Sequence, residues 1–248
     1  MPPSAAPAMY RAKVLARLPH PARGFTQGLI ADGGNVWEST GHYGKSALRR
    51  YRIGAHREDE CVAVPAEFFA EGICLAGGHI WQLTWRERVA LRWRPGPLTL
   101  VQTVPYNREG WGICNVGDSV MTTDGSSELV RRDPATLQPV EVVVVHCGGQ
   151  RITGLNDLTW SGGLVWANIL GRPFLAGIDP ASGDVVAIAD ARKADERHWG
   201  DPQAVMNGIA AMPGPGEFLL TGKTWPHSYH VRLTPGRPHR DPARLLTG

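Results

Sequence analysis

The chain has 248 residues, 42% hydrophobic and 20% charged, with 26 Lys and Arg against 23 Asp and Glu. That is enough apolar mass for a sizeable core in one large domain or two small ones, and a net charge of +3 implies neither nucleic acid nor an anionic membrane surface as a partner. With 30 glycines and 20 prolines the chain is rich in turns, which argues against a helical protein.

The first nine residues are Pro/Ala-rich and lack the charged and apolar regions of a signal peptide. On the sequence alone the protein either stays in the cytoplasm or has lost a signal. No stretch approaches the ~18 apolar residues that span a membrane. Cys61, Cys74, Cys114 and Cys147 fit no zinc spacing. Cys74 and Cys114 follow Glu71-Gly72-Ile73 and Trp111-Gly112-Ile113, so they take equivalent places. They read as small buried residues, with a disulfide between them left open.

In chain order, residues 10–18 read as a strand with no neighbouring hairpin of their own. From residue 24 onward one pattern recurs five times: a Gly-containing start, an apolar strand carrying Trp or its equivalent, and a third strand. The passes are 24–29, 36–41 and 46–53; then 70–73, 80–85 and 89–93; then 109–113, 120–125 and 128–132; then 155–159, 165–168 and 174–179; then 206–210, 218–223 and 229–233. Trp37, Trp81, Met121, Trp166 and Leu219 hold the same place, at successive separations of 44, 40, 45 and 53 positions. Short alternating strands at this period are the signature of propeller blades.

Fourth, outer strands are expected at 140–145 and 185–189, after turns at Asp133-Pro134 and Asp179-Pro180-Ala181-Ser182-Gly183. The last unit lacks one. Residues 10–18 are expected to supply it, which closes the ring and covers an edge. The expected fold is all-β: a five-bladed β-propeller, one domain over 1–248. Irregular tails are expected at 1–9 and 235–248, with one helical turn within 191–203 ended by Pro202.

In a propeller the first strand of each unit lies nearest the axis, so the five unit starts converge at one mouth of the channel. They carry Phe25 and Gln27, Phe69 and Glu71, Trp111, Asn156 and Asn207; Trp85, Asp124, Asn168 and Lys223 are further candidates from the second strands. One carboxylate, one ammonium, several amides and several rings suit a small polar group on an apolar stem. Glu71 stands behind Phe68-Phe69 and before Gly72. Apolar neighbours raise a carboxyl pKa, which suits a group that takes and returns a proton. Lys223, one of four lysines, sits between Gly222 and Thr224-Trp225-Pro226.

Plainer readings compete with these. Trp37, Trp81 and Trp166 fit repeat-packing core better than pocket. Gln27, Asn156 and Asn207 also suit turns at strand starts. His227 and His230 lack an acidic third ligand at a fitting spacing. There is no GxSxG, P-loop, Rossmann glycine pattern or zincin helix.

An ordered set of segments carries a resemblance. It comprises Gly24-Phe25-Thr26-Gln27-Gly28-Leu29, Glu38-Ser39-Thr40-Gly41 with Tyr43-Gly44-Lys45-Ser46, Glu71-Gly72, Gln82-Leu83-Thr84-Trp85 and Gly110-Trp111-Gly112. It continues with Thr123-Asp124-Gly125-Ser126-Ser127, Asn156-Asp157-Leu158, Val165-Trp166-Ala167-Asn168, Asn207-Gly208-Ile209-Ala210 and Thr221-Gly222-Lys223-Thr224-Trp225-Pro226. Together these resemble the plant and bacterial type of glutaminyl-peptide cyclotransferase over residues 24–226, touching all five units.

The resemblance implies a five-bladed propeller that converts N-terminal glutamine of peptides or proteins to pyroglutamate with release of ammonia. It implies no cofactor and no catalytic metal, and a secreted or periplasmic location. The family's catalytic glutamate falls on Glu71, its site lysine on Lys223 and its site asparagine on Asn156. Pocket residues fall on Phe25, Gln27, Phe69, Trp85 and Trp111. Two positions depart from the family: Thr159 replaces a second acid, and Leu170 replaces a larger or polar side chain. A closed ring makes a monomer the default. The alternative is a non-catalytic propeller that binds peptides or proteins, favoured mildly by Thr159 and Leu170 and opposed by Glu71, Asn156 and Lys223 together. A calcium-dependent lactonase-type propeller needs an acidic cluster at the axis, where the unit starts offer Glu71 and Asp157 with amides.

Overall fold

The computed structural model describes residues 6–21, 24–195 and 202–247. Its strands are β1 (Ala8–Pro19), β2 (Thr26–Asp32), β3 (Asn35–Thr40), β4 (Ala47–Arg52), β5 (Glu60–Ala63), β6 (Ala70–Ala76), β7 (His79–Thr84), β8 (Val89–Pro95), β9 (Leu98–Pro105), β10 (Ile113–Val116) and β11 (Ser119–Thr122). They continue as β12 (Glu128–Arg132), β13 (Pro139–Val144), β14 (His146–Cys147), β15 (Gln150–Arg151), β16 (Leu155–Ser161), β17 (Leu164–Ile169), β18 (Phe174–Ile178), β19 (Val185–Asp190), β20 (Met206–Ala211), β21 (Glu217–Gly222) and β22 (His227–Pro235).

The fold is all-β, consistent with a propeller. β2–β5, β6–β9 and β10–β13 each form a four-stranded antiparallel meander, and β14 pairs with β15 in a small hairpin. The inner strands lie side by side: β2 beside β6, β6 beside β10, β10 beside β16, β16 beside β20, and β20 beside β2. β1 runs antiparallel along β22 from Tyr10↔Pro235 to Pro19↔His227, the outer place expected for it. It also pairs in parallel with β19, from Ala8↔Ala187 to Arg11↔Asp190. That second pairing joins the last two units into one eight-stranded sheet.

Burial explains the strand patterns. Second strands such as β3 and β7 are covered on both faces and bury polar side chains such as Glu38 and Gln82 beside Trp37 and Trp81, whereas the outer strands β5 and β13 are largely exposed. The tryptophans of the second strands are core, and they link neighbouring units. Trp37 Nε1 donates to the carbonyl of Pro95 at 3.3 Å, and Trp81 Nε1 to that of Pro134 at 2.9 Å. Trp166 meets Phe218 edge-on at 5.5 Å. Full burial of such a ring contributes about 1.5–3 kcal/mol. Cys74, Cys114 and Cys147 are buried free thiols and Cys61 an exposed one, so the disulfide left open by the sequence does not form.

The tails are more ordered than expected. β1 begins at Ala8, inside the stretch read as irregular, and α1 (Ala243–Thr247) packs Ala243 and Leu246 into the core. The helical turn expected within 191–203 is a 3₁₀ turn at Arg192–Ala194; positions 196–201 of that stretch lie outside the described residues. Among the described residues no helix is long and apolar enough to cross a membrane.

Candidate active site

Four inner strands share one irregularity. Regular pairing breaks between Thr26 and Gly28, Ala70 and Ile73, Leu155 and Leu158, and Met206 and Ile209. Gln27, Glu71-Gly72, Asn156-Asp157 and Asn207-Gly208 occupy these breaks. Such bulges re-aim side chains and recur beside active sites. In the third unit Trp111 and Gly112 precede β10 and are held by Thr123: Trp111 N donates to its carbonyl at 2.9 Å and Gly112 N to its Oγ1 at 2.8 Å. The inner strands approach closely. A Cβ at Gly72 would stand 2.5 Å from the Trp111 carbonyl oxygen, and one at Gly112 would stand 2.0 Å from that of Asn156.

At this end of the ring lies a cavity of about 290 Å³. Glu71, Lys223, Asn156, Phe25, Gln27, Phe69, Trp85 and Trp111 all line it, joined by His42, Leu170 and Gln203. Its aromatic wall is a set of edge contacts: Phe25 to Phe69 at 6.3 Å and Phe69 to Trp85 at 5.4 Å. The His42 ring lies 4.3 Å from Phe25 and 5.8 Å from Phe69. Lys223 Nζ stands 4.5 Å from the centre of the Phe25 ring, a cation–π contact.

Glu71 is 4% exposed and accepts a hydrogen bond from Gln27 Nε2 at 2.8 Å. Gln27 Oε1 in turn accepts from Asn207 Nδ2 at 3.0 Å, so Asn207 fixes the amide that holds the carboxylate. Burial pushes Glu71 well above the ordinary carboxylate range; the nearby Lys223 ammonium and the Gln27 hydrogen bond offset part of this, while Asp157 and Glu87 add to it. Burial also lowers Lys223, with Glu71 opposing. Two buried lining atoms have no partner: Asn156 Oδ1, an acceptor, and Trp111 Nε1, a donor. An unsatisfied buried polar atom costs about 1–3 kcal/mol, which a ligand with matching groups recovers.

Three candidates lie elsewhere. Asp124 binds Arg108 at 3.0 Å and the backbone N–H of Ser126 at 3.1 Å. Asn168 Oδ1 accepts from Gly208 N at 3.2 Å. Asn207 supports Gln27 from behind. His230 is taken by Glu217 at 2.7 Å. No cluster of three His, Cys, Asp or Glu side chains suited to a metal occurs among the described residues. His42 and Gln203 escaped sequence reading. His42 sits in a turn with φ 102°, and a backbone angle has no residue-type signature.

Residues 2–233 match the model of one family, described as glutamine cyclotransferase. The chain belongs to the glutamine cyclotransferase family. It is 30% identical over 228 residues to the glutaminyl-peptide cyclotransferase of Arabidopsis thaliana, covering 89% of this chain and 71% of that protein. The crystal structure of Myxococcus xanthus glutaminyl cyclase superposes with a TM-score of 0.86 at 34% identity, covering 93% of this chain and all of that one. A PQQ-bound aldose sugar dehydrogenase from Streptomyces coelicolor, at TM-score 0.59 and 13% identity, shares the fold alone. In this glutamine cyclotransferase one buried carboxyl, one ammonium and two unpartnered polar atoms face an apolar-walled cavity. That set can bind a short chain with a polar end and move protons on it.

Proposed function

We propose that this chain is a glutaminyl-peptide cyclotransferase acting on N-terminal glutamine of peptides or proteins. The observation that carries the proposal is the convergence of Glu71, Lys223 and Asn156 on one cavity walled by Phe25, Phe69, Trp85 and Trp111. The reaction is an intramolecular acyl transfer, so the enzyme has to fold the glutamine side chain into an attacking shape and move protons. The rings hold the methylenes and exclude water.

Glu71 as carboxylate accepts a proton from the substrate α-ammonium. The freed amine attacks the γ-carboxamide carbon, forming the new C–N bond and placing charge on the amide oxygen. Lys223 donates to that oxygen and stabilises it. Asn156 Oδ1 accepts from a substrate N–H and sets the orientation. Glu71 then hands its proton to the carboxamide nitrogen and takes one from the new ring nitrogen. The C–N bond to the leaving group breaks and ammonia departs. Burial supports this role, since it raises the Glu71 pKa and so makes its carboxylate a stronger proton acceptor.

The same reading takes the meanders and the ring of inner strands as five blades of a single-domain, monomeric propeller. The family resemblance favours a secreted or periplasmic location. The test is incubation of the protein with a Gln-initiated peptide. Loss of ammonia, read by mass, supports the proposal; an unchanged peptide leaves the non-catalytic peptide-binding reading in its place.

A further inference from the structure

Behind the cavity lies a second buried polar cluster that the proposed chemistry does not use. It centres on His20, just after β1, with Glu38 on β3 and Tyr51 on β4; their exposures are 2%, 0% and 2%. His20 Nδ1 stands 2.7 Å from the carbonyl oxygen of Trp225, and Nε2 stands 3.0 and 2.9 Å from the two Glu38 oxygens. A carbonyl oxygen only accepts, so Nδ1 carries a proton. The Glu38 oxygens also accept from the Thr26 hydroxyl at 2.7 Å and the Tyr51 hydroxyl at 2.9 Å. That is the pattern of an ionised carboxylate, and it makes Nε2 a donor too. A ring that donates from both nitrogens is an imidazolium.

The charges around the ring agree. Burial alone would lower His20, but the Glu38 charge and the hydrogen bonds to Glu38 and Trp225 carry it above its ordinary value, with Arg49 on β4 opposing. Burial would raise Glu38, yet His20, Thr26 and Tyr51 hold it below the usual carboxylate range. Tyr51 itself is pushed well up by burial and by Glu38, and stays a donor. The pair therefore persists between the lowered Glu38 pKa and the raised His20 pKa. It is lost as pH rises through the raised His20 pKa, or falls through the lowered Glu38 pKa.

This pair grips the turn that presents Lys223. Besides the side-chain bond to Trp225, His20 N donates to the Pro226 carbonyl at 3.1 Å. On the other flank Thr26, between Phe25 and Gln27, is held by Glu38. Buried ion pairs are weak evidence for stability, but they can fix one geometry.

We propose that His20 is a positioning residue for Lys223. As an imidazolium bound to Glu38, it clamps residues 222–226 so that the ammonium meets the developing oxyanion. The inference rests on the reading of Lys223 given above.

The experiment is a double-mutant cycle with His20→Gln and Lys223→Ala, assayed on a Gln-initiated peptide. His20→Gln is expected to lower kcat by about 10- to 100-fold, the cost of a misplaced catalytic group, with KM changed by less than about threefold. In the Lys223→Ala background the same change is expected to cost less than about twofold, because residues acting through one another are not additive. An unchanged kcat for His20→Gln, or a loss just as large without Lys223, overturns the positioning role. A wild type that fails to cyclise the peptide overturns the functional reading instead. Nitrogen NMR of the His20 ring in the wild-type protein decides even if the variant does not fold. Both nitrogens are expected to be protonated above the ordinary histidine pKa, and a neutral ring there contradicts the proposal.

Discussion

Gln27 Nε2 donates to Glu71 Oε1 at 2.8 Å across the seam between β2 and β6. The bond favours the ionised carboxyl, against the burial that raises its pKa. Gln27→Leu removes the donor while filling the space. Glu71 then moves further up, so the acid limb of the kcat/KM profile shifts to higher pH, and kcat falls by about tenfold or more, as expected for a hydrogen bond to a charged group. A pH–rate profile of the variant beside the wild type checks this; an unshifted acid limb would show that Gln27 does not set the carboxyl.

The raised pKa of Glu71 also makes stability depend on pH. The folded state holds this proton more tightly than the unfolded one. Its contribution is therefore fully present below the ordinary carboxylate pKa and is lost as pH rises through the folded value. Glu71→Gln cannot ionise, so its melting temperature should fall less between acid and neutral pH than that of the wild type. Parallel curves from thermal unfolding across pH would refute this.

Gly72 lies where two inner strands nearly touch. A methyl there would meet the Trp111 carbonyl oxygen at 2.5 Å and the Gly112 Cα at 2.8 Å, both backbone atoms. Gly72→Ala is expected to destabilise by about 2–3 kcal/mol, and to lower the melting temperature by about 5–10 °C. Calorimetry measures the shift directly; a melting temperature within a degree of wild type would mean that the strands part easily.

Trp85 packs on Phe69 at 5.4 Å and lines the cavity, but it contributes no proton-transferring group. Its loss removes contact surface for the substrate in both ground and transition states. Trp85→Ala should raise KM by about 10-fold or more while kcat changes less. Steady-state kinetics on a Gln-initiated dipeptide separates the two; a drop confined to kcat would assign the ring a different role.

The repeat was legible because Trp37, Trp81 and Trp166 recur at one place, and packing between units requires bulk there. The site was legible because most of its residues stand at unit starts, joined by Trp85 and Lys223 from second strands, and eight of the eleven named positions meet in one cavity. What the sequence hid follows from physics. β5 and β9 are outer strands that bury little, so their patterns carry no clear buried face. β10 starts only at Ile113, because Trp111 and Gly112 bond to Thr123 outside the regular ladder. The parallel pairing of β1 with β19 runs from Ala8 to Arg11 and so begins ahead of the alternating run. The four bulges that aim Gln27, Glu71, Asn156 and Asn207 are backbone events. Gly28, Gly72 and Gly208 mark three of them, but the break at Asn156-Asp157 carries no glycine. The buried His20–Glu38 pair joins residues 18 positions apart through tertiary packing alone.

Glu71 is the group on which the account depends. The most direct measurement is cyclisation of a Gln-initiated peptide by Glu71→Gln, followed by mass, on protein whose thermal unfolding shows it to be folded. The account predicts a fall in kcat of about 10²–10⁴-fold, the usual contribution of a general acid–base. Near-wild-type cyclisation by that variant would contradict it.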